Sequence, residues 1–540
     1  MLDTFHLKKL LQYIPSKELY YFGLLLFAAS LPLSKFTISL AQFIIAGNWV
    51  LEGNFKNKFD LIKHNKIALL LMSLYGIHLI GLWNTSNFDY ALHDLKTKVP
   101  ILVFPFLMAT SKALDRKQVN QILLILWAAT LVSTLISLAI YLGFTGKVIT
   151  DIRQISPLIS HIRLALLVCV AAAIAIYFFN DTKQLSWLKN KVAPFKILML
   201  VSVVWMILFL IILESLTGLF VLMAGFFVFC FYKIVIEKKL FSQKLKYTLI
   251  VVVALSIGYF MAYISIKPMM LKDEINLATL PKTTTNGNAY THFTNEKFTE
   301  NGHFYGLYQC ELELKKAWNT RSKVAYDSLD EKQQLVNFTL MRYLTSKNLP
   351  KDSFGVAQLT AQDVEQIENG IPNYKIPLMN PLESRAYQVF CEYQSFTEGY
   401  NSSGHSLTMR IHYWQAAVLI IKDHFFTGVG TGDVEDAFQA KYVEIDSPLE
   451  LSWRHRAHNQ YLTMMVAFGV FGVAFFLFWL FAPAYIKKGK LHPVYFAFLF
   501  ILLISMLFED TLETQAGLSF AVFFSSLFLL EDGKVRNINS

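Results

Sequence analysis

The run Arg454-His455-Arg456-Ala457-His458-Asn459 gathers two imidazoles, two guanidiniums and an amide immediately before a long apolar stretch. Charge at the mouth of a membrane helix is costly unless it serves a site. His458 is the natural general base of this group, because its cationic sequence neighbours favour the neutral imidazole that proton abstraction requires. Two further clusters supply cations. Arg153, His161 and Arg163 lie in TDIRQISPLISHIRLAL, and Arg410 heads MRIHYWQAAVLIIKDHFFTGVGTGD. A guanidinium is permanently charged and offers a fork of donors, so these arginines could hold an anionic group. The plainer reading of the first cluster is an interfacial anchor of snorkelling arginines. In the second, Ile411, Trp414, Val418 and Ile421 recur at helical spacing and suggest an amphipathic helix starting at Arg410, either part of a site or a lid on the bundle. GVGTGD lacks the Gly-x4-Gly-Lys-Ser/Thr pattern of a nucleotide-phosphate loop, so Gly428, Gly430 and Gly432 read as the turn ending that helix. Glu509, Asp510 and Glu513 read as solvated charges that could also orient a bound acceptor or Arg454.

The elements that must hold these residues are mostly apolar. Of 540 residues, 54% are hydrophobic and 16% charged, against roughly a quarter charged in soluble proteins. That excludes a disordered chain and most cytosolic enzymes. Stretches free of Asp, Glu, Lys and Arg predict twelve spans, near 19–34, 36–51, 67–84, 99–111, 118–144, 164–180, 197–213, 216–232, 247–266, 461–486, 493–508 and 516–530. The first, second and fourth are short, and a tight hairpin is expected near Pro32 to Lys35. With the N-terminus inside, the short inner segments and tails carry 24 Lys and Arg, including Lys56, Lys58, Lys233, Lys238, Lys239, Lys487, Lys488 and Lys490. The short outer segments carry six: Lys35, Lys96, Lys98, Lys147, Arg153 and Arg163. The positive-inside rule then puts both termini in the cytoplasm and the motif residues at the outer face. The N-terminal block is expected to be an uncleaved first helix rather than a signal peptide. The net charge of +10 is spread between apolar blocks rather than concentrated on a basic domain, which argues against a nucleic-acid partner.

The expected architecture is an all-α polytopic membrane protein with an N-terminal bundle over 1–266, a large, mainly helical outer loop over 267–460 and a C-terminal bundle over 461–540. Within the loop, helices are expected near Cys310 to Val324 and Asp363 to Asn369, the second stopped by Gly370 and Pro372. Cys310 and Cys391 share this loop and are open to disulfide pairing, while Cys169 and Cys230 fall inside spans.

His458-Asn459, nine residues, then Gly469-Val470-Phe471-Gly472 resembles the His-Asn-x9-Gly-x-x-Gly signature of the O-antigen ligase family, bacterial membrane glycosyltransferases that attach lipid-linked polysaccharide to lipid A-core. Arg410-x3-Trp414 and GVGTGD are similar to the family's preceding segment, and the span-and-loop layout extends the resemblance over nearly the whole chain. The signature is shared with O-antigen polymerases and O-linked oligosaccharyltransferases. The resemblance implies a GT-C-like fold in the bacterial inner membrane, His458 as the essential histidine, Asn459 beside it, Arg410 as an arginine of the large loop, and Arg163 as the arginine between the fifth and sixth spans. One position departs. Where the family often has Ser-Arg-Thr-Gly, this chain reads Ser215-Leu216-Thr217-Gly218, so Arg153, Arg454 or Arg456 must supply that charge or the donor binds differently.

The implied reaction moves a glycan from a polyprenyl diphosphate to an acceptor hydroxyl, of lipid A-core or another glycan. A diphosphate leaving group needs its growing charge compensated in a water-poor site. No two aspartates are two residues apart, so the Asp-x-Asp metal clamp of many glycosyltransferases is missing and arginine is the expected substitute, with no cofactor and inversion in one step. A polysaccharide or lipid transporter is the competing class. It would be expected to place charge near the bilayer midplane on broken helices in related halves, whereas here the ionisable residues collect at the ends of spans and no half-repeat is visible.

Overall fold

The computed structural model describes residues 16–147, 149, 151–182, 185, 191–231, 234, 241–270, 274, 276, 279–487 and 491–531. Lys233, Lys238, Lys239, Lys488, Lys490 and both tails, which entered the charge count above, lie outside the described residues. Nearly all regular structure is helical, and the chain forms two compact units, Met1–Phe229 with Arg410–Ser540, and Cys230–Met409.

The first unit begins with α1 (Ser16–Leu33) and α2 (Lys35–Glu52), joined by Ser34 alone, so the expected hairpin is present. Ser34 closes the turn because its hydroxyl accepts from Thr37 N at 3.3 Å, an N-cap that satisfies one orphan donor of α2. Then come α3 (Phe55–His64), α4 (Lys66–Ile80), α5 (Phe88–Lys98), α6 (Pro100–Thr110), α7 (Arg116–Tyr141), α8 (His161–Asn180), α9 (Val192–Ile212) and α10 (Leu216–Phe231). Asp115 and Gln118 form a reciprocal capping box that starts α7. Helix α8 is the hub. Its alanines 165, 171, 172 and 175 are almost wholly buried and admit close approach of α7, α9 and the later helix α20 (Pro493–Phe508).

Among the described residues, the helices at Lys66–Asn84, Arg116–Tyr141, His161–Asn180, Val192–Ile212 and Gln460–Ile486 are long and apolar enough to cross a membrane, and shorter apolar helices occupy Leu216–Phe231, Pro493–Phe508 and Gln515–Leu530. These coincide with eight of the twelve expected blocks. The other four blocks also form helices: α1, α2, α6 and α11 (Phe241–Met270).

The second unit contains α11, a two-residue-strand hairpin of β1 (Thr299–Glu300) and β2 (His303–Phe304), and the helices α12 (Glu311–Arg321), α13 (Val336–Ser346), α14 (Ser353–Ala357), α15 (Ala361–Glu368) and α16 (Pro381–Thr397). Both expected loop helices are therefore present. Helix α15 opens on a Thr360/Asp363 capping box and stops at Gly370, whose φ of +70° suits glycine. Trp318, Tyr326, Leu340, Tyr343 and Ile367 form its core. The open question of a disulfide is answered in the negative, since Cys310 and Cys391 are both free thiols. Cys310 sits at the start of α12, its N–H donating to Lys351 O at 2.9 Å, whereas Cys391 on α16 has its Sγ 3.9 Å from Arg342 Nη2. Each sulfur is held in its own neighbourhood.

Candidate functional site

Helix α17 (Ser406–Asp423) starts one turn earlier than expected and turns a different face inward. Tyr413, Ala416, Ala417 and Ile420 are buried, while Ile411 and Val418 are 40% and 44% exposed. Apolar spacing misidentified the packed face because, in a membrane protein, apolarity does not by itself mark the side that meets protein. The packed face serves the motif. Tyr413 Oη donates to Trp453 O at 2.7 Å and Trp414 Nε1 to Ala457 O at 3.0 Å. From α18 (Val434–Glu444), Gln439 Nε2 donates to Arg454 O at 2.8 Å and Tyr442 Oη to His455 O at 2.6 Å. Four side chains thus fix the path of residues 453–457 through main-chain carbonyls, leaving the histidine rings free for chemistry.

Asn459 caps α19 (Gln460–Ile486). Its Oδ1 accepts from Tyr461 N and Leu462 N at 3.1 and 3.2 Å, and its Nδ2 donates to Leu507 O at 3.1 Å. Asp510, 52 residues beyond His458, accepts the backbone N–H groups of His458 and Asn459, both at 3.1 Å, and the Thr463 hydroxyl at 2.7 Å. These bonds hold His458 at a φ of +45°, the left-handed region that non-glycine residues avoid and functional sites retain. In that pose the His458 ring lies 5.6 Å from the Tyr413 ring and 6.0 Å from the His455 ring.

The ionised group facing His458 is not a guanidinium. Glu509 Oε2 lies 3.5 Å from His458 Nδ1, and Oε1 of the same carboxylate accepts from Arg410 Nη2 at 3.1 Å. Arg410 Nη2 also donates to Phe508 O at 3.1 Å. The reading of Glu509, Asp510 and Glu513 as solvated charges is corrected. All three are organising members of the site. Glu513 Oε2 pairs with Lys98 Nζ at 2.7 Å and Arg456 Nη1 at 3.2 Å, and Oε1 accepts from Gln460 Nε2 at 2.8 Å. Burial opposes ionisation of Glu513, yet Lys98 and Arg456 hold it well below the usual carboxylate range. Burial pushes Asp510 upward, against the Thr463 hydrogen bond. Burial and the neighbouring His458 push His455 downward.

The other expected phosphate ligands are committed elsewhere. Arg454 clamps its own loop through Leu449 O at 2.9 Å and Ser447 O at 3.1 Å. Arg456, besides Glu513, lies 3.8 Å from Glu435 and 5.9 Å from the Tyr90 ring centroid. Arg153 stands 3.9 Å from Asp151 with its side chain 43% exposed. None of the three replaces the arginine missing at Leu216 by reaching the pocket described next. His161 opens α8, two residues before Arg163.

Arg163 is different. It lines a pocket of about 110 Å³ together with the polar residues Lys35, Glu509 and Asp510 and apolar residues such as Leu31, Ile38, Leu167 and Phe520. Its guanidinium is half-buried and, among the described residues, makes no hydrogen bond or ion pair; the charge of Glu509 is the field it feels. Among the described residues no group of three or more His, Cys, Asp or Glu is arranged to hold a metal ion.

The glycines build the support. Gly469 breaks α19 at φ +63° and ψ −165°, and a Cβ there would lie 2.3 Å from Phe426 O. The break lets Val470 N donate to Phe425 O, while Val429 N and Gly430 N donate to Val466 O and Ala467 O, all at 2.9 Å. Gly428, at φ +67°, is packed against the Ala467 carbonyl, where a Cβ would lie 2.4 Å away. GVGTGD is therefore a turn, as expected, laced to the helix break and to Asn84, whose Nδ2 donates to Gly428 O at 2.8 Å.

No curated protein matches the chain. Residues 356–477 match the family model described as O-Antigen ligase, a stretch that holds α17, the glycine turn, the His458-Asn459 cap and the break at Gly469.

Proposed function

We propose that this membrane protein transfers a glycan from a polyprenyl diphosphate to an acceptor hydroxyl, with lipid A-core as the acceptor, at the outer face of a bacterial inner membrane. The observation that carries the reading is the half-buried Arg163, which has no hydrogen-bonding partner among the described residues and lines a mainly apolar pocket together with Glu509, the carboxylate facing His458. A mainly apolar pocket that also presents a guanidinium suits a lipid tail with an anionic head.

In the proposed reaction the acceptor oxygen attacks the glycan C1 as its proton passes to His458. The C1–O bond to the diphosphate breaks, and the leaving oxygen's charge is taken up by Arg163. Glu509 orients the imidazole and stabilises the imidazolium as it forms, while Arg410 fixes Glu509. Attack opposite the leaving group inverts the anomeric centre without a covalent enzyme intermediate, and no metal is required.

Purified chain with lipid-linked glycan and lipid A-core tests this. Arg163→Lys should weaken donor binding and transfer about tenfold or more, since a point charge cannot reproduce a fork. Arg410→Lys should slow transfer by loosening Glu509. Activity should survive EDTA. Full activity of both variants, or loss in EDTA restored by a divalent ion, refutes the metal-free arginine site. Extension of lipid-linked repeats in place of transfer to lipid A-core reassigns the protein as a polymerase.

A further inference from the structure

We infer that Lys35, the first residue of α2, is a second cation for the donor diphosphate, an assignment that rests on the donor-pocket reading above. A diphosphate carries more charge than one guanidinium balances, and in a pocket with apolar walls the remainder stays costly unless a second cation meets it. The candidates can be taken in turn. Arg410 is shared between Glu509 and Phe508 O, Arg454 between two carbonyls, and Arg456 between Glu513 and Glu435. Lys35 lines the same pocket as Arg163, is exposed, and among the described residues makes no hydrogen bond or ion pair.

Its position reinforces the case. Ser34 already caps α2, and the N-terminus of a helix carries partial positive charge, so a lysine in the first turn disfavours the helix rather than helping it. A cation placed where the helix disfavours it is explained by an anion outside the helix. The two cations then divide the work. Half-buried Arg163, with a planar fork, fixes the geometry of one phosphate; exposed Lys35, with a flexible stem and three rotatable donors, neutralises the other at the mouth. Lys35 thereby makes the pocket prefer a diphosphate to a monophosphate, which separates an incoming donor from a monophosphorylated lipid carrier.

The test uses the purified full-length chain in detergent, with geranylgeranyl diphosphate and geranylgeranyl monophosphate as probes. Lys35→Ala should weaken diphosphate binding about tenfold and change monophosphate binding by less than about twofold, and Lys35→Arg should restore the preference. The exposed position makes misfolding an unsuitable explanation for a loss, and thermal melts of the variants check it. Unchanged diphosphate binding by Lys35→Ala, with loss in Arg163→Ala, overturns the role of Lys35 and leaves the donor pocket standing. Equal weakening of both probes by Lys35→Ala overturns the discriminating role. If neither Lys35→Ala nor Arg163→Ala alters binding, the donor pocket itself falls, and Lys35 with it.

Discussion

Glu313 and Glu300 of one unit and Glu509 of the other are treated in opposite ways. In Cys230–Met409, Glu313 receives Thr284 Oγ1, Asn288 Nδ2, Asn286 Nδ2 and Ser353 Oγ, and these neutral donors hold it down to about 2 against the cost of burial. Glu300, fully buried, is closed by Arg342 at 2.6 Å, by Asn373 at 2.9 Å and by the Tyr387 hydroxyl. Their hydrogen-bonding capacity is used internally. In the other unit Glu509 is divided between Arg410 and His458, His458 Nδ1 has no hydrogen-bond partner, and Arg163 has an ionic neighbour without a bond. Closed networks build a scaffold. Open ones await a ligand.

The contrast predicts different failures. His458→Ala should reduce transfer about 10²–10⁴-fold while donor binding and the melting profile persist, and His455→Ala should be far milder. A transfer assay with parallel donor binding decides: normal turnover by His458→Ala with a dead His455→Ala moves the base three residues upstream. Arg342→Met should do the reverse, costing about 3–5 kcal/mol of stability by leaving Glu300 buried without its cation. Thermal melting and limited proteolysis within residues 280–400 measure this, and an unaltered profile would break the distinction between the units.

A graded, pH-dependent effect concerns Lys351, buried with its Nζ donating to Phe304 O at 3.2 Å and Leu307 O at 2.9 Å. Burial pushes its ammonium down to about 7 from an ordinary 10.5. Between those values the unfolded chain binds a proton that the folded chain has released. Folding stability should therefore rise with pH from about 7 to about 10.5, by at most about 1.4 kcal/mol per pH unit, and the penalty should be full below pH 7. Melting curves of wild type and Lys351→Met over that range test it; a slope unchanged by the substitution removes the assignment.

What sequence revealed and what it hid have a common cause. His458 and Asn459 were singled out because a polar cluster ahead of an apolar block and a short signature are local, and the span blocks were legible because helix length against bilayer thickness is a property of a single segment. The stop at Gly370 and the turn at GVGTGD are local in the same sense. Asp510 and Glu509 reach the motif from 51 to 52 residues along the chain, across two helices, and nothing in their own neighbourhood marks them as partners of His458. Arg454 and Arg456 misled for the opposite reason: adjacent in sequence to the histidine, they turn to Ser447 O, Leu449 O and Glu513. Lys351 carried no signal either, since an isolated lysine in a polar loop reads as surface.

The interruption at Gly469 has a mechanical side. An unbroken helix of the 27 residues of α19 would be a single strut of about 40 Å, longer than a hydrocarbon core of about 30 Å, and any tilt forced on its far end would be levered onto the histidine at its head. With the break, residues 460–468 form a short stub braced by the Phe425–Gly430 backbone, and residues 470–486 form a separate arm. The same turn thus grips both sides of the break, through Val466 O and Ala467 O before it and Val470 N after it, so the helix changes direction at a fixed joint rather than at a loose one.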